Sequence, residues 1–593
     1  MTDTPSANGS SRKVPTFAEA ILFRSKSLLL QMRRAALDLS NQELRRANFD
    51  TKLASSPITA ESQTELWTET DPKERYLVAG KIQNLRIAVS KLNGLEFRAG
   101  QTFSFWRHVG RATRFRGFAA GRELREGCIV PSIGGGLCQL SNALYEAALR
   151  SGFEIVERHA HSETVPGSVA EDGRDATVFW NYIDLRFRSS RPFRIEARLD
   201  ADDLMVRFRG EQVEKNELHQ LKLVAKQNGS PNNCVTCEAE GCFRVVKSSG
   251  NKAFGKTAYL VDEFSPEFDA YIRNERSVSD VLLLPLDGAR LKKANYAWTT
   301  AGFGKVHQSL PVTVYRSYRS RKLAAQGAKR QLNLLDMYEK LAASYAKRLK
   351  FDVLRVVVQQ NILPFLWKSG HLGGRTFDVL MNALPMGELQ KRLDLAYSLH
   401  PESKTLSDFR ADKSLVEAES EALKRARKII TPHTEIASLF GDRAVLLDWK
   451  MPAARERAQP KNKKPRIVFP SSTVGRKGCY ELREALCGVD VMLVTLGGDI
   501  EGSEFWRGYD VERGDGDWLD RADIVVLPAF VEHRPRRLLQ AAAAGIPVIA
   551  SKACGLGNVN GIETVGCGDV QGLRAAIKRK LMNVKAAKNV QKA

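Results

Sequence analysis

A multidomain protein, with an α+β front part followed by a pair of α/β domains, is predicted by three observations on the sequence. The chain has 593 residues, too many for one ordinary core, so roughly two to four domains are expected. From Thr177 to Phe208 apolar and polar residues alternate at period two, the pattern of antiparallel strands with one wet face. From Ala253 onward, short apolar runs alternate with helical segments, break at a basic, proline-containing stretch from Pro452 to Pro465, and then begin again. Runs of that kind are buried on both faces of parallel sheets.

Composition narrows the class. With 43% hydrophobic and 27% charged residues the chain reads as soluble and globular. Lys and Arg number 91 against 68 Asp and Glu, a net charge of +23, which favours anionic partners such as nucleotide diphosphates or anionic lipid headgroups. Nucleic acid would also fit the charge, but no motif interleaves aromatic with basic residues, so it is not expected. Nine cysteines in so long a chain do not make a disulfide scaffold, and the odd count argues against complete pairing. Arg24 and Lys26 interrupt the apolar stretch from Ala18 to Leu30 before a signal core could form. No run reaches the roughly 20 apolar residues of a spanning helix. A cytoplasmic location is therefore expected, with peripheral contact at the inner face of the membrane as an option.

That option rests on residues 1–75. The first part is polar and Ser-rich, and disorder is expected there. Between Thr16 and Asn48, Leu28, Leu29, Met32, Ala36 and Leu37 are set at helical spacing against Arg24, Lys26, Arg33 and Arg34. Such a basic amphipathic helix can lie on an anionic membrane or pack on its own domain.

Residues 76–210 are organised around Ile133-Gly134-Gly135-Gly136-Leu137-Cys138-Gln139-Leu140-Ser141. Three glycines permit positive φ and close backbone approach. The helical spacing of Leu140, Leu144 and Ala147-Ala148 places Cys138 near a helix N-terminus, where unpaired amides and the helix dipole lower a thiol pKa. Glu157-Arg158-His159-Ala160-His161-Ser162 then supplies His159 or His161 as the base that activates the thiol. A buried, inert cysteine in a tight helix entry is the bland alternative.

These residues, with Gly100-Gln101-Thr102-Phe103-Ser104-Phe105, Val109-Gly110 and Asp175-Ala176-Thr177-Val178, resemble the VanW family from about Arg86 to Phe187. The resemblance implies an α+β domain and a Cys138 nucleophile. Some members of that family look like cysteine-dependent L,D-transpeptidases acting on peptidoglycan stem peptides, so acyl transfer is the implied chemistry.

Residues 211–250 hold Cys234-Val235-Thr236-Cys237 and Cys242. A Cys-x2-Cys pair with a third thiol five residues on lets sulfurs converge on a structural zinc or an iron–sulfur cluster, with His219 or a distant residue as fourth ligand. A loop with reduced thiols is the alternative.

Residues 251–455 and 456–593 are the two α/β domains. In the first, Thr257–Val261, Asp280–Pro285, Pro311–Tyr315 and Phe351–Val358 read as strands, and Lys322 to Lys350 as helical. In the second, Arg466–Pro470, Asp490–Val494, Ile524–Pro528 and Pro547–Ala550 repeat the pattern. Two such halves leave a cleft between them, where ligands commonly sit. His371-Leu372-Gly373-Gly374-Arg375 could line it as an acceptor loop or be an ordinary strand-to-helix loop.

Gly475-Arg476-Lys477-Gly478 follows a strand and precedes a helical segment, so two cations and pliant backbone meet at a helix entrance suited to a diphosphate. Farther on come Glu532 and, eight residues later, Gln540, then Ala541-Ala542-Ala543-Ala544-Gly545-Ile546-Pro547-Val548-Ile549-Ala550. Glu532 and Gln540 also fit ordinary helix-end residues. Together, after Arg466, the residues resemble the carboxy-terminal half of GT-B nucleotide-sugar glycosyltransferases, and the resemblance implies a GT-B-like pair of Rossmann-type domains. By it Arg476 and Lys477 would stabilise the leaving nucleotide diphosphate, Glu532 would lie near the donor sugar, and Gln540 would bind ribose hydroxyls. Two positions depart from the family: Gln540 stands where a second Glu is usual, and His533 where a Gly is. Gln still hydrogen-bonds a hydroxyl, more weakly than a carboxylate.

The expectation is thus a glycosyltransferase with a nucleotide-sugar donor, fused to a VanW-like acyl-transfer domain. It would serve cell-envelope glycan or glycopeptide assembly, on a glycan, lipid-linked or peptidoglycan-precursor acceptor. The alternative is a catalytically degenerate glycan-binding scaffold.

Overall fold

The computed structural model describes residues 17–44, 46–68, 72–125, 128–161, 175–180, 182–211, 232–233, 255–322, 327–407, 410–454, 464–514 and 516–590. The zinc-site candidates Cys234, Cys237 and Cys242, with His219, lie outside them, as does the Ser-rich amino terminus. The chain forms two compact units. One is Met1–Lys256 with Leu349–Arg355 and Ser369–Thr376; the other is Thr257–Arg348 with Val356–Lys368 and Phe377–Ala593.

The first unit is α+β. A five-stranded antiparallel sheet runs in the order Asn48–Phe49, Leu95–Phe97, Phe193–Leu199, Asp203–Gly210, Ile58–Glu65. The alternating residues of Phe193–Leu199 are buried and half-buried in turn, as a sheet with one wet face requires. Among the described residues, four α-helices serve this unit: α1 (Phe17–Ser40), α2 (Pro72–Leu92), α3 (Phe105–Val109) and α4 (Cys138–Arg150). α2 buries Val78, Ile82, Leu85, Val89 and Leu92, and α4 buries Leu140, Leu144 and Ala148, in one core with Phe103, Phe187, Phe193 and Phe208. A hairpin, Ala120–Arg125 with Cys128–Ile133, leads into the glycine turn. The region from Thr177 to Trp180, expected as a strand, carries only an isolated bridge from Phe179 to Ile183; its polar atoms are used instead at the site described below.

The second unit holds two sheets of Rossmann type. The first has seven strands in the order 305–308, 281–284, 256–260, 353–359, 376–380, 428–431, 444–446. The second has six, all parallel, in the order 511–513, 492–495, 466–469, 524–527, 548–551, 562–565. Numbered along the chain, the second sheet reads 3-2-1-4-5-6, which puts its topological switch point between Arg466–Phe469 and Ile524–Leu527. The residues expected as a strand at Pro311–Tyr315 lie instead in the helix Leu310–Lys322, and the edge strand is Lys305–Gln308. Pro311 falls in the first helical turn, where its missing amide costs nothing. Thr313 turns its hydroxyl inward to Ser309 O and Pro285 O, both at 2.9 Å, while Val314 and Tyr315 are exposed. Tertiary placement overrides the β propensity of the run.

Candidate functional sites

Cys138 is the first residue of α4, so its own amide has no intrahelical acceptor. The turn that delivers it is packed too tightly for side chains. Gly136 has φ +91°, and a Cβ there would lie 2.1 Å from Lys81 Cγ; one on Gly135 would lie 2.6 Å from the Gly121 backbone. Asn84 of α2 holds the turn in place. Its Nδ2 donates to Gly135 O at 2.9 Å and to Ala119 O at 3.1 Å, and its Oδ1 accepts from Ala119 N at 2.8 Å.

Facing the thiol is the segment 175–178, fastened to α4 by two side chains. Asn142 Oδ1 accepts from Ala176 N at 2.8 Å, and Ser141 Oγ donates to Ala176 O. This brings Thr177 Oγ1 to 3.6 Å from Cys138 Sγ and sets Asp175 against His161. The His161 Nδ1–H is shared between Asp175 Oδ1 at 2.7 Å and Oδ2 at 2.9 Å, and the His161 amide also binds the same carboxylate. His161 is also close enough to the Cys138 sulfur for each to shift the other's titration. Cys138, His161 and Asp175 are therefore arranged in the order thiol, imidazole, carboxylate, a geometry suited to activating a thiol.

The electrostatics follow from this geometry. Burial raises the Cys138 thiol, but the hydrogen bond and charge of His161, with Val178 N–H and Thr177 Oγ1, bring it below its ordinary value. Burial also disfavours the His161 cation, but Asp175 and the Cys138 sulfur raise its pKa to about 10. Asp175 is depressed despite its own burial, chiefly by His161. Both shifts favour the thiolate–imidazolium form of the pair. Elsewhere burial drives the thiols of Cys479, Cys554 and Cys567 upward. Of the two histidines named as bases, the structure brings His161 to the sulfur. His159 is largely exposed and bonds Glu157 Oε1 at 3.2 Å. Asp175, whose role sequence reasoning missed, was visible only as part of a motif; its function depends on the fold bringing it beside His161.

In the second unit, Gly475–Lys477 forms a single 3-10 turn after the strand Arg466–Phe469, and Glu532 follows the strand Ile524–Leu527. Both stand at the carboxyl ends that flank the switch point, where ligands of such sheets bind. The two loops are zipped together: Phe530 N and Val531 N donate to Arg476 O at 3.0 and 3.2 Å. Lys477 Nζ then donates to Glu532 Oε2 at 2.7 Å and Val531 O at 3.0 Å. Burial raises the Glu532 carboxyl, but Lys477 outweighs it and holds the group below its ordinary range. Arg476 is exposed, and so is Gln540, on the helix Arg536–Ala543.

Glu501 anchors the Gly475 turn, and nothing in the sequence singled it out. It accepts from Gly475 N at 2.8 Å, Ser403 Oγ at 2.9 Å, Lys404 N at 3.0 Å and Tyr480 OH at 3.1 Å. Between the two sheets lies a cavity of about 240 Å³ lined by Glu263, Asn295, Asn382, Trp449, His533 and Arg534. His533 Nε2 is buried there without a hydrogen-bond partner. Burial and the Lys477 charge lower its pKa to about 3, so the ring is neutral at physiological pH. Arg536 crosses to Glu267 with two bonds of 2.6 and 2.7 Å and lies over Trp449.

The loop His371–Arg375 does not supply an acceptor site. Arg375 is buried and donates to the carbonyls of Val353 at 2.9 Å, His371 at 2.5 Å and Lys350 at 3.0 Å, a structural role within the first unit. Among the described residues no group of three or more His, Cys, Asp or Glu could hold a metal ion.

The chain carries two regions that match known families, one in each unit. Residues 80–209 match the family model described as VanW like protein, and residues 499–583 that of Glycosyl transferases group 1. The vancomycin B-type resistance protein VanW of Enterococcus faecalis is 34% identical over 126 residues, 21% of this chain and 46% of that protein. The uncharacterized protein YoaR of Bacillus subtilis is 30% identical over 140 residues, 23% and 46% of the two chains. The chain thus spans about half the length of the curated relatives it matches. Among solved structures, a sucrose-phosphate synthase from Thermosynechococcus elongatus has a TM-score of 0.36 at 15% identity, covering 56% of this chain and 90% of its own. Anabaena HepE in complex with UDP and glucose has a TM-score of 0.34 at 15% identity, covering 56% and 91%.

Proposed function

We propose that the chain transfers a sugar from a nucleotide-diphosphate donor through its second unit, and that its first unit carries out cysteine-dependent acyl transfer. The setting is the cytoplasmic side of cell-envelope glycan or glycopeptide assembly, on a glycan, lipid-linked or peptidoglycan-precursor acceptor. The observation that carries the first activity is the Lys477–Glu532 pair at the carboxyl ends flanking the switch point. Lys477 and Arg476 neutralise the charge that grows on the departing diphosphate, an electrostatic stabilisation of the transition state. Glu532 orients the donor sugar, and Gln540 offers a neutral hydrogen bond to the ribose. HepE was solved with UDP and glucose, which supports the same donor class for this chain.

The second activity rests on the Cys138–His161–Asp175 series. The thiolate attacks an acyl carbon and forms a thioester. The imidazolium gives its proton to the leaving amine, and an acceptor amine then releases the acyl group, returning its proton to His161. The Cys138 amide and the glycine turn face the developing oxyanion.

A donor screen with intact protein, following nucleotide-diphosphate release, tests the first reading. Turnover is expected with at least one sugar nucleotide and is lost on Lys477→Ala. Binding without turnover across the screen would favour a glycan-binding scaffold. An electrophilic acyl probe tests the second: it should label wild type and not Cys138→Ala, and equal labelling removes the nucleophile.

A further inference from the structure

A surface helix ordinarily turns its apolar stripe to the core and its polar residues to water. α1 is reversed. Three polar side chains at spacings of three and four residues tie it to its own unit. Gln31 Nε2 donates to Trp180 O at 3.3 Å, Arg34 pairs with Glu157, and Asp38 accepts from Arg186 Nη2 at 2.7 and 2.9 Å. The opposite side carries Ile21, Leu22, Leu28, Leu29, Met32 and Leu39, between 48% and 82% exposed. At 100° per residue these six fall within one arc of about 120°, which also holds the exposed Ser25, with the exposed Arg33 and Lys26 along one flank and the exposed Leu37 and Leu30 beyond them.

A helix in water gains nothing by displaying such an arc, and the polar stripe leaves α1 no room to roll it inward without breaking its ion pairs. The arrangement of apolar arc, bordering cations and a polar side tethered elsewhere is that of a helix in the plane of a lipid interface. A second copy of the chain is the poorer occupant. It would bring Lys26 and Arg33 of both copies to the same seam, whereas an anionic headgroup layer pairs with them. The net charge of +23 acts in the same direction over longer range.

We propose that α1 docks this protein on an anionic bilayer, with Leu22, Leu29, Met32 and Leu39 among the acyl chains and Lys26 and Arg33 at the phosphates. This rests on neither catalytic assignment. The full-length protein is floated with vesicles of phosphatidylcholine, with and without phosphatidylglycerol. Wild type should float with the anionic vesicles, and less so as salt rises. Leu29→Glu with Met32→Glu should reduce the bound fraction by at least about tenfold, and Lys26→Glu with Arg33→Glu by about fivefold per position on anionic vesicles. Circular dichroism and the urea midpoint in lipid-free solution, unchanged in both variants, confirm that folding is intact. Failure of wild type to float, or equal flotation of the Leu29→Glu, Met32→Glu variant, overturns the proposal. So does a lipid-free dimer in light scattering that this variant dissociates, since a second copy would then be the occupant.

Discussion

Cys138 and Cys554 are both free thiols, yet burial pushes Cys554 up to about 12 while His161 holds Cys138 below its ordinary value. His161 is the largest influence lowering Cys138, and its effect is measurable. The alkylation rate of Cys138 should rise with pH through an inflection below that of an ordinary thiol. Asp175→Asn, which weakens the imidazolium, should move that inflection upward and slow alkylation at neutral pH by about tenfold, one pKa unit's worth; an unmoved profile would show that Asp175 does not act on the pair. The linkage has a definite sign. His161, raised above its ordinary value, contributes stability that is full below about pH 6.5 and fades toward about pH 10. Asp175, depressed, contributes above the ordinary carboxylate range. The melting-temperature gap between wild type and His161→Gln should therefore be widest between those limits and shrink at either side. In the second unit, Lys477→Ala should lower donor turnover by about a hundredfold or more. A change confined to KM would assign Lys477 to uniform binding instead. Cys138 and the two histidines were legible because the Gly-Gly-Gly-Leu-Cys and Glu-Arg-His-Ala-His runs are local. Which histidine serves the thiol was not, because neighbours in sequence point in different directions, His159 to Glu157 and His161 to Asp175.

The elements that present these groups are held by contacts that sequence spacing does not reveal. Asn84→Ala removes three hydrogen bonds from the hairpin and glycine turn and should cost about 1–3 kcal/mol, with slower thiol labelling than wild type at equal folded fraction. Gly136→Ala meets both a positive φ and the Lys81 side chain, and should destabilise by roughly 1–3 kcal/mol. Urea titration checks both, and a midpoint within error of wild type would show that the turn relaxes freely. The short, uniformly apolar runs were readable as strands because parallel strands are buried on both faces, as Ile524–Leu527 is. Pro311–Tyr315 misled because a short Val- and Tyr-containing run looks the same on a helix until its neighbours are known. Glu501 was invisible for a related reason: its five donors come from three separated segments, Ser403–Thr405, Gly475 and Tyr480.

At the level of the whole molecule, the two sites belong to separate compact units, so their chemistries should separate. Cys138→Ala should leave donor turnover unchanged, and Lys477→Ala should leave thiol labelling unchanged; loss of both activities in either variant would require coupling between the units. Composition and local pattern by themselves determined the multidomain character, the strand runs, the glycine turn with its cysteine, and the cations of the Gly475 turn. These are properties of short windows, governed by periodicity and by glycine's freedom of φ. Only the tertiary structure decided that Asp175 completes the series begun by Cys138, that Lys477 and Glu532 meet across the switch point, and that α1 keeps its polar stripe inward and its leucines outward. Each of these depends on side chains distant in sequence arriving within a few ångströms of one another, and burial and charge act at that range.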